Sequence, residues 1–561
     1  MAASSVGGDG ASSVASSASF RSSSSILGDG ADDSLQANVL NFMGRPEAYA
    51  LLSAAVDRIE THASIVFLAG DYAYKVKKAV KYPFLDFSTL ARRRAACLNE
   101  LRVNARTAPG LYLRVVPVLR GPGDGFRFGA EGTSKGLSGD EAGGDVVEWV
   151  LVMRRFDQEA LLHRMAEEGR LPLAMMAPLA TVIADFHSSA DRFLAQDVPA
   201  RSLAGVLADN ASVFAAHPEL FPAEDAIAFA ESSLAALTVL VPLLKARARD
   251  GYVRHCHGDL HLRNIVEIDR QPVLFDAIEF DDALATIDVL YDLAFLLIDL
   301  GRHGLRGHAN AVLNAYLDRE GSTGNLLGLA LLPLYLSTRA AIRAKVELLR
   351  ALSASPDEAA PVLAEVGDYF DLARSYLAPP PPCLVVIGGL SGSGKSALSR
   401  ASAAQLGGFP GAIHIRSDVE RKRMFGVGAE VRLPERAYTS EVSDLVYRMC
   451  RKRARLALAA GHSVVLDGVH ARPDERSAVR ELAETFRVSF TGLWLEADPA
   501  ILKARVAKRL GDVSDATPDV VEEQLAYDLG VLDFVRVDAG KPLEHVVKSC
   551  LAVIGGADAA R

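Results

Sequence analysis

The sequence predicts an α+β segment followed by an α/β segment built on a parallel sheet. Three observations carry this. Strand-like runs crowd the early part of the chain, and long helical periodicities dominate from Ala174 onward. Four successive prolines, Pro379 to Pro382, then interrupt the pattern. They cannot extend a helix and favour a stiff spacer. Directly after them comes the apolar run Cys383–Gly388, and from there strands alternate with helices. The expected divisions are a tail at 1–35, a first segment at 36–377, a linker at 378–382 and a second segment at 383–556.

The chain has 561 residues, 50% hydrophobic and 23% charged, which excludes a wholly disordered protein. Lys plus Arg is 61 and Asp plus Glu is 70, a formal charge of −9. That balance argues against a general nucleic-acid coat. Cys97, Cys256, Cys383, Cys450 and Cys550 are scattered and form no CxxC pair. Neither a disulfide scaffold nor a zinc ribbon is expected, and a reducing, cytoplasmic setting is. No segment reaches the roughly 18 uninterrupted apolar residues of a membrane span. The runs Leu293–Leu300 and Leu326–Leu336 are too short and read as buried helices, so no membrane partner is expected. Residues 1–35 are mostly Ala, Ser, Gly and Asp, lack a secretory layout, and read as a disordered tail.

In the first segment, Ile65–Leu68 and Tyr72–Val76 read as strands joined by a Gly70-Asp71 turn, and Arg92–Arg106 as a helix. Val115–Leu119 and Val146–Met153 continue the strands around a Gly-, Ser- and Asp-rich insert at Gly121–Gly144. Two short strands, Val266–Ile268 and Val273–Phe275, break the helical part, which ends with a helix over Val362–Leu377.

The second segment opens on Gly389-Leu390-Ser391-Gly392-Ser393-Gly394-Lys395-Ser396, between strand Leu384–Gly388 and helix Ser396–Leu406. This fits GxxxxGK[ST]. Its glycines let backbone N–H groups, including those at Ser391 and Ser393, turn around a phosphate chain at a helix N-terminus. Lys395 is expected to reach the β- and γ-phosphates of ATP, and Ser396 to ligate Mg²⁺. Strand Ala412–Ile415 ends near Asp418, placed either to activate an acceptor hydroxyl or to cap the next helix. Strand Ser463–Leu466 ends in Asp467, a candidate Mg²⁺ ligand. After strand Val488–Leu495, a helix bearing Lys503, Arg505, Lys508 and Arg509 leads to Asp515. Arg505 and Arg509 suit a lid that closes on transferred phosphate, or else form a solvated basic face. The phosphate loop, Ser417-Asp418 and the RxxxRxxDxSDA-like lid together resemble small P-loop kinases. These are the ones related to polynucleotide 5′-kinase domains, zeta-toxins and gluconate kinases.

The second strong signal is His257-Gly258-Asp259-Leu260-His261-Leu262-Arg263-Asn264, with Asp276 ending the run Val273-Leu274-Phe275. Phosphoryl transfer needs one carboxylate to take the acceptor's proton. It also needs an Asn and a second carboxylate to hold Mg²⁺ on the ATP phosphates. Asp259 is the candidate base; Asn264 and Asp276 are the candidate metal ligands. HGDxHxxN resembles the catalytic loop of the aminoglycoside phosphotransferase branch of the protein-kinase-like fold. The resemblance implies a two-lobed domain whose strand Lys binds ATP phosphate and pairs with a helix Glu. Lys75 is the best match, with Lys77 and Lys78 close by; strand alternation puts Lys75 and Lys77 on one face. Glu100 matches the acid, or is a surface carboxylate. Val147–Met153 matches the hinge strand near adenine. Asp281, Asp282, Asp288 and Asp292 either line a pocket for a cationic acceptor or pair with arginines. His187 and His255 read as structural.

Phe275–Phe280 and Tyr82–Phe87 resemble a bacterial group of two-domain kinases that fuses these two modules, over about 40–556. The expectation is an ATP- and Mg²⁺-dependent phosphotransferase with two nucleotide sites, acting on hydroxyl groups of small molecules. In one rival reading, one domain is a nucleotide-binding regulator of the other. In another, the P-loop domain phosphorylates nucleic-acid 5′-hydroxyls, which the acidic chain disfavours.

Overall fold

The computed structural model describes residues 30–50, 55–61, 63–82, 85–121, 125–129, 144–352, 355–428, 431–508 and 514–559. The stretches that read as a tail, 1–35, and as an insert, 121–144, lie mostly outside these residues, and 83–84 lie wholly outside them. By packing, the chain divides into two compact units. One runs up to Arg155 and includes Glu279–Asp281; the other comprises Phe156–Ile278 and the chain from Asp282 onward.

The first unit is a six-stranded antiparallel sheet. Its order is Asp57–Glu60, Ser64–Ala69, Tyr72–Lys77, Val146–Arg154, Tyr112–Arg120 and Phe126–Phe128. The Gly70-Asp71 turn forms as expected, with Gly70 at φ +57°. Helix Leu90–Asn104 begins where Thr89 accepts the Arg92 N–H at 3.3 Å. Helix Gly30–Met43 also packs on this sheet, where Gln36 ties together Lys77 O, Ala79 N and Glu148.

The second unit combines the helical part of the first segment with the whole α/β segment. Its helices include Met176–Ser189, Ala223–Arg249, Val289–Arg302, Arg306–Glu320 and Leu332–Leu352. The expected strand pair appears as Ile265–Ile268 and Gln271–Leu274. A second pair, Val253–His255 with Thr286–Asp288, was not anticipated, because three residues leave no readable alternation. Past the prolines, five strands form an all-parallel sheet ordered Ile413–Arg416, Val464–Asp467, Cys383–Gly389, Ser489–Glu496, Val535–Asp538. The Cys383–Gly389 strand is buried throughout, as a central parallel strand covered on both faces requires.

The prolines do not interrupt the packing of this unit. Leu384, Ile413 and Val464 of the parallel sheet share a core with Leu297 and Tyr316 of the helices. Helix Arg306–Glu320 presents a polar row at four-residue spacing to the free edge of strand Ile413–Arg416. Asn314 accepts the His414 N–H at 2.7 Å, Asn310 donates to Ala412 O at 3.0 Å, and Arg306 donates to Gly407 O at 2.9 Å. An edge strand's unpaired backbone groups are thereby covered.

Helices Ala223–Arg249 and Thr323–Leu352 are long and apolar enough to cross a membrane by length and composition alone. The expectation of no such segment rested on uninterrupted apolar runs, and Glu231, Ser232, Ser233 and Thr238 interrupt the first helix. Most of the apolar stretch of the second, 78%, is buried inside the protein.

Candidate functional site

In the first unit, Glu100 is fully buried and pairs with two lysines. Lys75 Nζ lies 2.7 Å from its Oε1 and Lys77 Nζ 2.5 Å from its Oε2. The surface-carboxylate alternative for Glu100 is therefore excluded. Lys77 also pairs with Glu279 at 2.5 Å and is only 2% exposed. Burial acts to lower the Lys77 pKa, but the charges of Glu100 and Glu279 outweigh it and push it up to about 12. Lys77 is thus an internal strut, while Lys75 retains 14% exposure. Lys77→Ala should lower unfolding stability by about 3 kcal/mol, since Glu279 loses its buried counter-charge. Lys75→Ala should leave the urea midpoint nearly unchanged and raise the KM for ATP.

In the second unit, the chain leaves strand Val253–His255 and turns at Gly258, where φ is +82° and a Cβ would meet Ile278 at 2.9 Å. The turn is held from beneath by Asp292. Its carboxylate accepts the His257 N–H at 3.1 Å and the Gly258 N–H at 2.9 Å, and lies 3.1 Å from His187 Nε2. Burial works to raise the Asp292 pKa, but the bond and charge of His187 prevail and hold it below the usual range. His187 Nδ1 in turn lies 3.0 Å from Tyr316 Oη. Cys256 completes a buried cluster with His187 and Asp292 whose ligand-type atoms fall within 4.8 Å of one another. Sequence spacing shows no such cluster. Its polar atoms already bond within the protein, Cys256 Sγ to Ile287 O at 3.5 Å among them, so it reads as a support for the loop.

Asp259 sits above this support. It accepts from Asn264 Nδ2 at 3.0 Å and lies 3.2 Å from His261 Nε2. Burial acts to raise its pKa, but the charge and hydrogen bond of His261 outweigh it and keep the carboxyl well below the usual range. With its amide nitrogen on Asp259, the atom of Asn264 that could hold a metal is its side-chain oxygen. The Phe275 N–H donates to Asn264 O at 3.0 Å, and His257 Nε2 lies 3.0 Å from Phe275 O. These bonds bring Asp276 to the same loop, where it holds a left-handed φ of +60°. Such backbone strain is retained where surrounding contacts impose it, often at functional sites.

The other acids behave differently. Asp288 pairs with Arg247 and Asp282 with His255. Among the described residues Asp292 forms no ion pair with an arginine; it caps the loop instead.

In the phosphate loop, Gly389, Gly392 and Gly394 hold φ of +137°, +86° and +93°. A Cβ on Gly392 would lie 2.5 Å from Leu502 O, and one on Gly389 2.7 Å from Leu495 O. Gly394 opens onto space with nothing within 4 Å. The Ser391 N–H donates to Gln524 Oε1 at 2.8 Å, and Lys395 Nζ donates to Leu390 O at 3.0 Å. Ser393 Oγ is buried and, among the described residues, has no hydrogen-bond partner. A glycine cradle with an orphaned hydroxyl fits a phosphate chain. Ser396, partly buried, is the second residue of helix Lys395–Ala403, which starts one residue earlier and ends three earlier than the expected Ser396–Leu406.

Asp467 ends the strand beside the loop, in register with Ile387, and lies 3.4 Å from His414 Nε2. Burial acts to raise its pKa, yet the bond and charge of His414 and the charge of Lys395 bring it to about 2. Asp418 is pushed the other way, by burial and then by the charge of Asp467. It lies within the first turn of helix Ser417–Met424 and is not its N-cap, which is Arg416. An ionised acid beside one of raised pKa is an arrangement suited to metal binding by the first and proton transfer by the second.

The lid is placed in part. Ser514 hydrogen-bonds Asp418. Asp515 accepts the Leu433 N–H at 3.0 Å and Tyr438 Oη at 2.6 Å, and pairs with Lys422 at 3.3 Å. Arg505 donates to Ala539 O at 3.0 Å, a bond it would have to release to reach a phosphate. Arg509 lies outside the described residues.

Fold and loops together define the class: the chain belongs to the two-domain family that joins an aminoglycoside phosphotransferase-like domain to a P-loop kinase domain. Residues 84–327 match the model of the phosphotransferase enzyme family, and 384–529 match a model described as an AAA domain. Within that family, the chain is 30% identical over 503 residues to the uncharacterized proteins Rv2004c of Mycobacterium tuberculosis and Mb2027c of Mycobacterium bovis. Each alignment covers 88% of this chain and 94% of the relative. Solved structures similar to parts of the chain include a gluconokinase from Sinorhizobium meliloti 1021, with TM-score 0.24 and 23% identity, over 31% of this chain and 92% of that one. A choline/ethanolamine kinase family protein from Mesorhizobium loti gives TM-score 0.37 and 15% identity, over 61% and 94%.

Proposed function

We propose that the chain is a cytoplasmic, two-site phosphotransferase that uses Mg-ATP at both sites and phosphorylates hydroxyl groups of small molecules. The observation that supports this reading is a duplicated arrangement. In each half a candidate base stands beside a candidate metal ligand: Asp259 with Asn264, and Asp418 with Asp467. Mg²⁺, when bound, would neutralise charge on the β- and γ-phosphates. In the kinase-like half Asp259 takes the acceptor's hydroxyl proton as its oxygen bonds to the γ-phosphorus, and the bond to ADP breaks. Asn264 and Asp276 would hold the metal, and Lys75, fixed by Glu100, would bind phosphate. In the P-loop half Gly389 to Ser396 would cradle the phosphates, with Ser396 and Asp467 toward the metal. Asp418 would receive the acceptor's proton, and Arg505 and Arg509 would steady the transferred group.

Calorimetric titration with a non-hydrolysable ATP analogue and Mg²⁺ tests the two-site reading. Two nucleotides should bind per wild-type chain and one per Lys395→Ala chain, with both events weakened by EDTA. A single event that survives Lys395→Ala would overturn the P-loop assignment.

A further inference from the structure

Beside His261, which contacts Asp259, the second unit has a small open cleft. Its walls include His261, Arg263, Arg343 and Asp299, with Phe295 and Tyr369 as apolar surfaces. His261 is the link to the candidate base: its Nε2 is on Asp259, and its ring stands edge-on to Phe295 with centroids 5.2 Å apart. Its other nitrogen, Nδ1, is buried and has no hydrogen-bond partner among the described residues. Arg263 is exposed, and among the described residues no hydrogen bond or ion pair engages it. Arg343 lies over Tyr369, its guanidinium 5.8 Å from the ring centroid, and one of its nitrogens is held by Glu347. The single carboxylate in the wall, Asp299, accepts the Leu262 N–H at 2.8 Å.

Arg343 is already paired with Glu347, so Arg263 is the cation left without an ion pair among the described residues, and the wall's carboxylate, Asp299, is engaged by a backbone amide. A cationic acceptor would face two guanidinium groups. Three of the four acids that sequence offered for such an acceptor are engaged elsewhere: Asp288 by Arg247, Asp292 by the His257 and Gly258 amides, and Asp282 by His255; the fourth, Asp281, belongs to the first unit. Guanidinium groups bind phosphate and carboxylate through paired N–H donors.

We propose that this pocket holds an anionic group of the acceptor, phosphate or carboxylate, so that the kinase-like half phosphorylates a hydroxyl on a negatively charged small molecule. The inference rests on the reading of Asp259 as base. Arg263 binds the anion and Arg343 supports it from the apolar side, which fixes the hydroxyl relative to Asp259.

The test uses the full-length chain carrying Lys395→Ala, so that ADP release reports the kinase-like half. Matched acceptors are glycerol, glycerol 3-phosphate, glycerate and ethanolamine. Asp259-dependent ADP release should favour the two anions, and the phosphate and carboxylate arms identify the group preferred. Arg263→Gln should raise the KM for the anion by roughly tenfold to a hundredfold, the worth of a charged hydrogen bond, with kcat little changed. Arg263→Lys should recover part of the loss. Equal use of glycerol or ethanolamine, or a KM indifferent to Arg263→Gln, overturns the proposal. If no acceptor gives Asp259-dependent transfer, the activity reading fails and the pocket is judged by binding of inorganic phosphate to the Lys395→Ala chain. Saturable binding that Arg263→Gln abolishes upholds the anion site, and its absence overturns it.

Discussion

Asp259→Asn should remove one phosphorylated product from a metabolite extract incubated with labelled ATP, while Lys395→Ala removes a different one. Asparagine keeps the hydrogen-bonding shape at position 259, where Asn264 and His261 approach. It cannot take a proton, and loss of a positioned base slows transfer by about 10²–10⁴-fold. Lys395 follows the phosphate loop's open Gly394, and its ammonium lies at the loop, donating to Leu390 O at 3.0 Å. Its loss should cost on the order of 10³ in rate, in line with other phosphate-clamp cations. The two effects should separate because the two sets of residues share no side chain. If one product needs only one of these residues and the second site still binds nucleotide, that second site regulates. Its route would be short: helix Arg306–Glu320 touches His187 through Tyr316 and the His414 backbone through Asn314.

What sequence made legible were contacts made within a few residues. GxxxxGK[ST] is one loop, and the Asp259–Asn264 bond spans five positions. Glu100 as partner of a strand lysine was legible by resemblance. The choice between Lys75 and Lys77 was not, because alternation puts both on one face and only burial against Glu279 separates them. The supports were hidden for a different reason. Asp292 reaches the Gly258 amide across 34 positions, Gln524 reaches Ser391 across 133, and Asn314 reaches His414 across 100. None of these residues stands in a pattern that marks it, since a side chain that caps a distant backbone needs only a polar atom in the right place. Asp288 and Asp292 illustrate this. Four residues apart on one chain segment, they looked alike, yet one binds a buried arginine and the other a backbone turn.

Arg247→Ala should be the most destabilising single change, lowering unfolding free energy by about 3–5 kcal/mol. Arg247 is 2% exposed and grips Asp288 with two nitrogens, at 2.6 and 2.8 Å. It also donates to Gly324 O and Asn325 Oδ1, each at 2.9 Å, and lies over Tyr252 at 4.3 Å. Alanine would leave Asp288 buried without its counter-charge. Asp288 caps helix Val289–Arg302 through the Leu290 N–H at 2.9 Å, and Asp292 lies in that helix's first turn. The damage should therefore reach the His257–Asn264 loop, so that the product lost in Asp259→Asn falls more than the product lost in Lys395→Ala at temperatures where the chain is still folded. Urea denaturation of Arg247→Ala, Asp288→Leu and the double variant Arg247→Met with Asp288→Leu separates charge from packing. The double variant should regain most of the stability, because a buried pair replaced by apolar groups of similar volume is often neutral. It should not regain the kinase-like activity, since leucine cannot accept the Leu290 N–H and the turn bearing Asp292 stays uncapped. Recovery of both would show that Asp288 serves only as the partner of Arg247.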